Sequence, residues 1–394
     1  ATPVFPDEST TLSAWLHISN ACNLACSYCY VDKTTGHMQD DTAYRSVGAI
    51  FRSAVRRKVQ YLLLKYAGGE ASLLMSRVCS IHDYATKLAQ EHGIQLQAFL
   101  LSNGVMLPQK TIEALKTRQI GLMISLDGIG DAHDSQRPFA NGLGSFRYVE
   151  RTLKRLREND LTPHISVTIS QRNLASIPEL LHYLLDHDLP FSLNYYREHE
   201  CSSHLRDLRF AEHEMIETMQ HVFRIIEERL PKRSLLNALL DKADLENPHQ
   251  YTCGAGHNYL VIDQRGGIAK CHADIKSTIT TIDNDDPLLA IQQDHTGLQN
   301  VMVDEKEGCR SCQWRYWCTG GCPLLTWKMT GRSDRKSPNC GIYQALFPAV
   351  LRLEALRLLA YTAPLSFQLA ETDRAVGATE SSVLSKINRQ NERL

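Results

Sequence analysis

The twelve cysteines of this chain are not scattered. Three fall close together near the N-terminus: Cys22, Cys26 and Cys29. Seven fall in the C-terminal third: Cys253, Cys271, Cys309, Cys312, Cys318, Cys322 and Cys340. Grouped cysteines of this kind read as ligand sets, and a ligand set dictates which parts of a chain must meet. The two that stand apart, Cys79 and Cys201, read as buried structural thiols, with Cys201 the better functional outsider because it follows a strand. The N-terminal ATPVFPDEST has no basic or apolar region and is not a signal peptide. The expected compartment is therefore the cytoplasm, whose reducing poise argues against disulfides.

Between the two cysteine groups the chain alternates strand and helix patterns. Candidate strands are Leu12–Ile18, Val59–Tyr66, Ile94–Leu101, Ile120–Leu126, His164–Ile169 and Phe191–Tyr195, each short, apolar and mostly closed by a turn former. Helical spacing fills the intervals, near Asp41–Lys58, Leu74–His92, Pro108–Thr117, Ser145–Asn159 and Ser176–His187. Six β-α units imply a parallel sheet curled into a partial barrel, short of the eight units of a closed one. The fold class is thus α/β, a partial (β/α)6 TIM-like barrel with a C-terminal cysteine-rich domain. A helical pair is expected at Ala211–Glu228 and Ser234–Ala243. From Asn247 periodicity fades, which sets expected domains at 1–246, 247–345 and 346–394, the last a helix from Ile342 to about Tyr361 with a polar, disordered tail after Ala370. Net charge is −1, so neither nucleic acid nor an anionic membrane is implied as partner, and no run approaches the ~20 apolar residues of a membrane span.

The segment Cys22-Asn-Leu-Ala-Cys26-Ser-Tyr28-Cys29 spells Cys-x3-Cys-x2-Cys directly after the first strand. That is the catalytic end of a β/α barrel. A [4Fe–4S] cluster usually takes four thiolates, so three leave one iron free for a small chelating molecule. A zinc site with a distant fourth ligand is the other reading, although zinc prefers paired Cys-x2-Cys. With Tyr28 before its third cysteine, the motif resembles the signature of the radical S-adenosylmethionine (SAM) superfamily. Gly68-Gly69-Glu70 after the second strand resembles the family's Gly-Gly-Glu motif, though Ala71 stands where Pro is common. Ser102-Asn103 and Ser125-Leu126-Asp127 end the third and fourth strands, and Arg137 lies a little further on. The resemblance implies that Tyr28, Gly68, Gly69, Glu70, Ser102, Asn103, Ser125, Asp127 and Arg137 contact the cofactor, and it covers roughly residues 12–200. Taken alone, these strand ends also suit plain turn chemistry.

The C-terminal array, Cys253-x12-Gly266-x4-Cys271, Cys309-x2-Cys312-x5-Cys318-x3-Cys322 and Cys340, resembles the SPASM domain of radical SAM maturases. Carried over, one auxiliary cluster takes Cys253, Cys271 and Cys322, and a second takes Cys309, Cys312, Cys318 and Cys340. Two zinc sites are the alternative. The first auxiliary cluster then has an open iron or a ligand such as His257. In all, the resemblance implies three [4Fe–4S] clusters with SAM, an electron donor of flavodoxin or ferredoxin type, and a precursor peptide or protein as substrate. It points to a peptide maturase installing a crosslink or other oxidative modification. Sulfatase-maturase-type oxidation of a Cys or Ser side chain and a non-enzymatic cluster- or zinc-binding protein are the alternatives. His272 and Asp274, with His257 behind them, are the candidate general bases. The sulfatase maturases place Asp where this chain has His272, which weighs against formylglycine formation. Because Cys22 comes so early, no leader-peptide-binding domain is expected ahead of it.

Overall fold

The computed structural model describes residue 5 and residues 10–362. The first part alternates as β1 (Thr11–Ser19), α1 (Asp40–Arg56), β2 (Tyr61–Gly68), α2 (Met75–His92), β3 (Gln95–Ser102), α3 (Gln109–Thr117), β4 (Gly121–Ser125), α4 (Asp131–Gln136), α5 (Phe146–Glu158), β5 (His164–Ile169), α6 (Gln171–Leu174), α7 (Ile177–Asp186), β6 (Phe191–Tyr195) and α8 (Glu212–Glu228). The cysteine-rich part adds β7 (Tyr259–Ile262), β8 (Gly267–Ala269), β9 (Thr278–Thr281), α9 (Pro287–Gln293), α10 (Arg315–Cys318), α11 (Pro323–Thr330) and α12 (Cys340–Tyr361). All nine strands share one sheet in the order β6-β5-β4-β3-β2-β1-β7-β8-β9. Every pair from β6 to β7 is parallel, and β8 and β9 close the edge antiparallel.

Period-two alternation gives the sheet two unlike faces. On β2, Leu62, Leu64 and Tyr66 pack outward into the main core with Val47 and Ile50 of α1 and Val78 and Ile81 of α2. Each such aliphatic side chain contributes about 1.5–3 kcal/mol through burial. The helices supply matching stripes, as in α5, where Val149, Leu153 and Leu156 are buried and the arginines face water. Gly93 ends α2 in the left-handed region at φ 67°. The inner face carries a separate apolar group: Trp15 on β1, Ala67 on β2, Val261 on β7 and Ala269 on β8, with Leu101, Tyr259 and Ile275 against it.

The six expected strands and five intervening helices are present within a few residues of their expected bounds. Two expectations fail, one for a helix and one for a pair of cysteines. Ser234–Ala243 is not a helix. Leu235, Leu239 and Leu240 are buried at helix-like spacing, but turn chemistry holds the segment instead: Asn237 Oδ1 accepts from Leu245 N, Asp244 Oδ1 accepts from Glu246 N and Asn247 N, and Lys242 sits at φ 61°. The fading periodicity after Asn247 hides β7–β9, which extend the barrel's own sheet. Cys79 and Cys201 are not buried: Cys79 is half-exposed and Cys201 is exposed, donating to Asp32. The tail after Ala370 lies outside the described residues. No described helix is long and apolar enough to cross a membrane.

Candidate active site

The loop after β1 is pinned by backbone contacts before any cofactor is considered. Ala25 N donates to Pro138 O at 2.7 Å and Ser27 N to Gln136 O at 2.9 Å, which ties the loop to the segment after α4. Lys33 Nζ donates to Leu24 O across the loop's own base. Within it the three thiols lie near enough to act on one another electrostatically. Burial raises the Cys22 thiol and pushes Cys29 up to about 11, with Cys26 adding to each. Asn103, at the end of β3, leans over them: its Nδ2 donates to Asn23 Oδ1 at 2.7 Å and lies 3.7 Å from Cys22 Sγ.

Gly68 and Gly69 are needed for a reason the sequence did not expose. Their backbone approach is to the cysteine loop itself. A Cβ on Gly68 would sit 2.3 Å from Ser19 O, and one on Gly69 would sit 2.4 Å from Ala21 O. Gly69 N and Glu70 N donate to those same carbonyls at 2.6 and 2.8 Å. Gly69→Ala is therefore expected to push Ala21 and Cys22 out of place, at a cost of about 1–3 kcal/mol. A urea melt and an iron count on reconstituted protein check this; unchanged stability and iron would refute it. Glu70 is buried and closes the next strand end, accepting from Asn103 N at 2.6 Å and from Ser72 N at 3.2 Å. Burial raises its carboxyl, against the pull of those donors. Ser102 Oγ accepts from Gly104 N at 3.0 Å.

Tyr28, Asp127 and Arg137 come together in one buried knot. Tyr28 OH donates to Asp127 Oδ2 at 2.5 Å, Arg137 Nη1 donates to Tyr28 OH, and Arg137 lies 3.5 Å from Asp127. Thr168 N donates to Asp127 Oδ1 at 2.8 Å. Burial pushes the Asp127 carboxyl up, opposed chiefly by Arg137. Arg137 Nε is buried with no acceptor among the described residues, so part of its guanidinium is still uncommitted. Ser125, half-buried, faces inward at the end of β4.

The C-terminal cysteines separate into two neighbourhoods. Cys309, Cys312, Cys318 and Cys340 line one small recess beside Trp314 and Phe347. Cys253, Cys271 and Cys322 share a different apolar cluster with Ala255, Leu324 and Leu325. Burial pushes Cys271 and Cys318 up to about 12 and Cys309 up to about 11. His257 is turned to Asn300 O at 2.9 Å, and Asn300 Nδ2 donates to Cys253 O at 2.6 Å. Among the described residues no three His, Cys, Asp or Glu side chains converge on a single ion. Cluster thiolates each bind a different iron and are spaced accordingly. Three thiols on one loop, and seven more in two enclosed sets, fit iron–sulfur clusters in donor type and grouping.

The inner face joins these regions. His272, just after Cys271, stacks on Trp15 with ring centroids 4.5 Å apart, and its Nδ1 lies 3.2 Å from Tyr259 OH. Burial, then Lys242, Lys65 and Arg197, holds its imidazole well below the usual range. Tyr30 lies 6.0 Å from the His272 ring, and Cys29 and Cys271 are both close enough to raise its phenol further after burial. Asp274 is instead paired with Lys328 at 3.4 Å. The sequence reading passed over Trp15, Tyr30, Lys65 and Lys242. The available signal was a lysine inside the apolar run Leu62-Leu63-Leu64-Lys65-Tyr66.

The model of the radical SAM superfamily matches residues 16–184. The chain carries a radical SAM domain. Among curated relatives of this domain, the antilisterial bacteriocin subtilosin biosynthesis protein AlbA of Bacillus subtilis (strain 168) is 23% identical over 275 residues, covering 66% of this chain and 54% of the relative. The PqqA peptide cyclase of Bradyrhizobium diazoefficiens is 21% identical over 354 residues, covering 84% and 86%. The chain spans about half the length of several curated relatives it matches. Among solved structures, native anSMEcpe with bound AdoMet and Cp18Cys peptide superposes with a TM-score of 0.70 at 18% identity, covering 89% of this chain and 99% of that one. The fold shared with that structure thus reaches beyond the segment that the family model matches, in keeping with the continuous sheet.

Proposed function

We propose that the chain is a radical SAM maturase of a ribosomally made peptide. The observation that carries this reading is the sorting of ten cysteines into three spatial sets. On this reading Cys22, Cys26 and Cys29 hold the cluster that binds SAM. Cys253, Cys271 and Cys322 hold one auxiliary cluster, and Cys309, Cys312, Cys318 and Cys340 hold the other. When bound, a reduced cluster and SAM supply a 5′-deoxyadenosyl radical able to take hydrogen from an unactivated carbon. The electron would come from a flavodoxin- or ferredoxin-type donor.

The chain's own residues do the remaining work. The Gly68-Gly69 backbone and Glu70 fix the cysteine loop against β2 and β3. The uncommitted Arg137 Nε–H, with Asn103 and Ser125, provides polar contacts for SAM. Trp15, Tyr30 and Tyr259 exclude water from the path between Cys29 and Cys271. Of the two expected bases, His272 is better placed, since it lies on that path while Asp274 is committed to Lys328. The relatives that act on peptides by name support a peptide substrate.

The test is anaerobic reconstitution, followed by iron counting and an assay for 5′-deoxyadenosine. About twelve irons per chain with SAM cleavage are expected. Tightly bound zinc with little iron and no cleavage would overturn the reading. The paired variant Cys309→Ala and Cys340→Ala is expected to lose about four irons.

A further inference from the structure

Each charged residue on the inner face can be asked for its partner. Arg197 is paired with Asp241 at 2.5 Å, and Lys276 with Asp32 at 2.6 Å. Asp274 belongs to Lys328. Lys65 is different. It sits mid-strand on β2, facing inward, level in register with Trp15 of β1 and Phe99 of β3. Among the described residues its ammonium makes no hydrogen bond or ion pair. The charged group that acts on it is a second cation, Lys242, and burial and Lys242 together lower its basicity. Trp15 is buried, and its indole Nε1–H has no acceptor among the described residues. Two neighbouring strands thus place donors side by side with nothing to receive them.

An unpaired buried N–H is costly, and the Trp15 indole lies in register with a half-buried Lys65 that has no acid partner among the described residues. Such an arrangement persists where a ligand supplies the missing acceptor. Donors alone, with net positive charge, select an anion whose oxygens accept more than one bond. Among the described residues no carboxylate is paired with Lys65: Asp274 holds Lys328, and Asp241 holds Arg197 through Oδ2 with its Oδ1 left unpartnered. Lys242 also acts on Cys253 and Cys271, so its charge is shared with whatever those thiols hold. Among the described residues, the charged group that acts on Lys65 is Lys242.

We propose that Lys65 and the Trp15 indole N–H, supported by Lys242, form a carboxylate-recognition site on the inner face, which selects a substrate peptide presenting an acidic side chain or its C-terminal carboxylate. This rests on the peptide-maturase reading and deepens it. The site lies deeper along β2 than Gly68-Gly69-Glu70, and so apart from the cofactor contacts.

The test uses reconstituted full-length chain with SAM and three blocked tripeptides: acetyl-Gly-Glu-Gly-amide, acetyl-Gly-Gln-Gly-amide and acetyl-Gly-Gln-Gly with a free C-terminus. Binding is read by ligand-observed NMR at millimolar concentration, and SAM cleavage without peptide is read in parallel. Wild type is expected to favour at least one carboxylate probe over the neutral amide by about tenfold. Preference for the glutamate probe identifies a side chain as the source, and preference for the free terminus identifies the chain end. Lys65→Met is expected to erase the preference and Lys65→Arg to keep it, with peptide-free SAM cleavage unchanged in each. Equal binding or no binding of the three probes by wild type, or a preference that survives Lys65→Met, overturns the proposal. So does a raised SAM requirement in Lys65→Met, which would assign Lys65 to the cofactor's carboxylate. Failure of wild type to cleave SAM would strike the maturase reading, while the peptide preference would still report on this site.

Discussion

Replacing Cys22, Cys26 and Cys29 together with alanine is expected to remove about four irons from the reconstituted chain and to abolish 5′-deoxyadenosine formation. The argument is one of position. The three thiols sit on a loop whose backbone is fixed by Pro138, Gln136 and Glu70, through bonds that do not depend on a sulfur atom. The variant should therefore keep its fold and the arrangement of its seven C-terminal cysteines, which lie in separate neighbourhoods. Circular dichroism controls for folding. Full iron content in the triple variant would show that these thiols hold no cluster. A loss of all iron would show that the three sets assemble interdependently.

Asp127→Ala is expected to cost about 3–5 kcal/mol of unfolding free energy, the range for breaking a buried ion pair from one side. Asp127 is fully buried, and its carboxylate receives Thr168 N, Tyr28 OH and Arg137. Removing it strands the Arg137 guanidinium, whose Nε already lacks an acceptor among the described residues, and releases the hydroxyl of Tyr28, which stands between Cys26 and Cys29 in the sequence. Asp127→Asn keeps the shape and loses the charge, so a smaller loss is expected. Urea denaturation measures both. A loss below about 1 kcal/mol in the alanine variant would mean that Arg137 finds another partner at little cost.

What was legible in the sequence follows from where the information is local. Strands β1–β6 announce themselves because a sheet covered by helices needs an apolar residue at every second position, as in Leu62, Leu64 and Tyr66. Strands β7–β9 do not, because three or four residues such as Gly267–Ala269 carry too little periodicity to register. Leu235 and Leu239 imitate a helix because burial alone produces their spacing, while the Asn237 and Asp244 side chains decide the backbone. Cysteine spacing survives reading in one dimension, since ligand sets must recur in order along the chain. The Tyr28–Asp127–Arg137 knot does not. Each residue had been singled out, but their mutual bonds join positions about a hundred residues apart. Lys65 was overlooked because whether an inward-facing lysine has an acid opposite it is a tertiary fact.

The place of β1 in the sheet has a consequence for how the molecule comes into being. One edge of β1 is covered by β2 soon after it is made, but the other must wait for Tyr259–Ile262 to leave the ribosome. Through most of synthesis, the strand that leads into Cys22 presents a row of open amides and carbonyls to its surroundings. Pairing over so long a stretch of chain is slow to find. The strand that carries the cysteine loop thus gains its second neighbour only after Cys253 has been made.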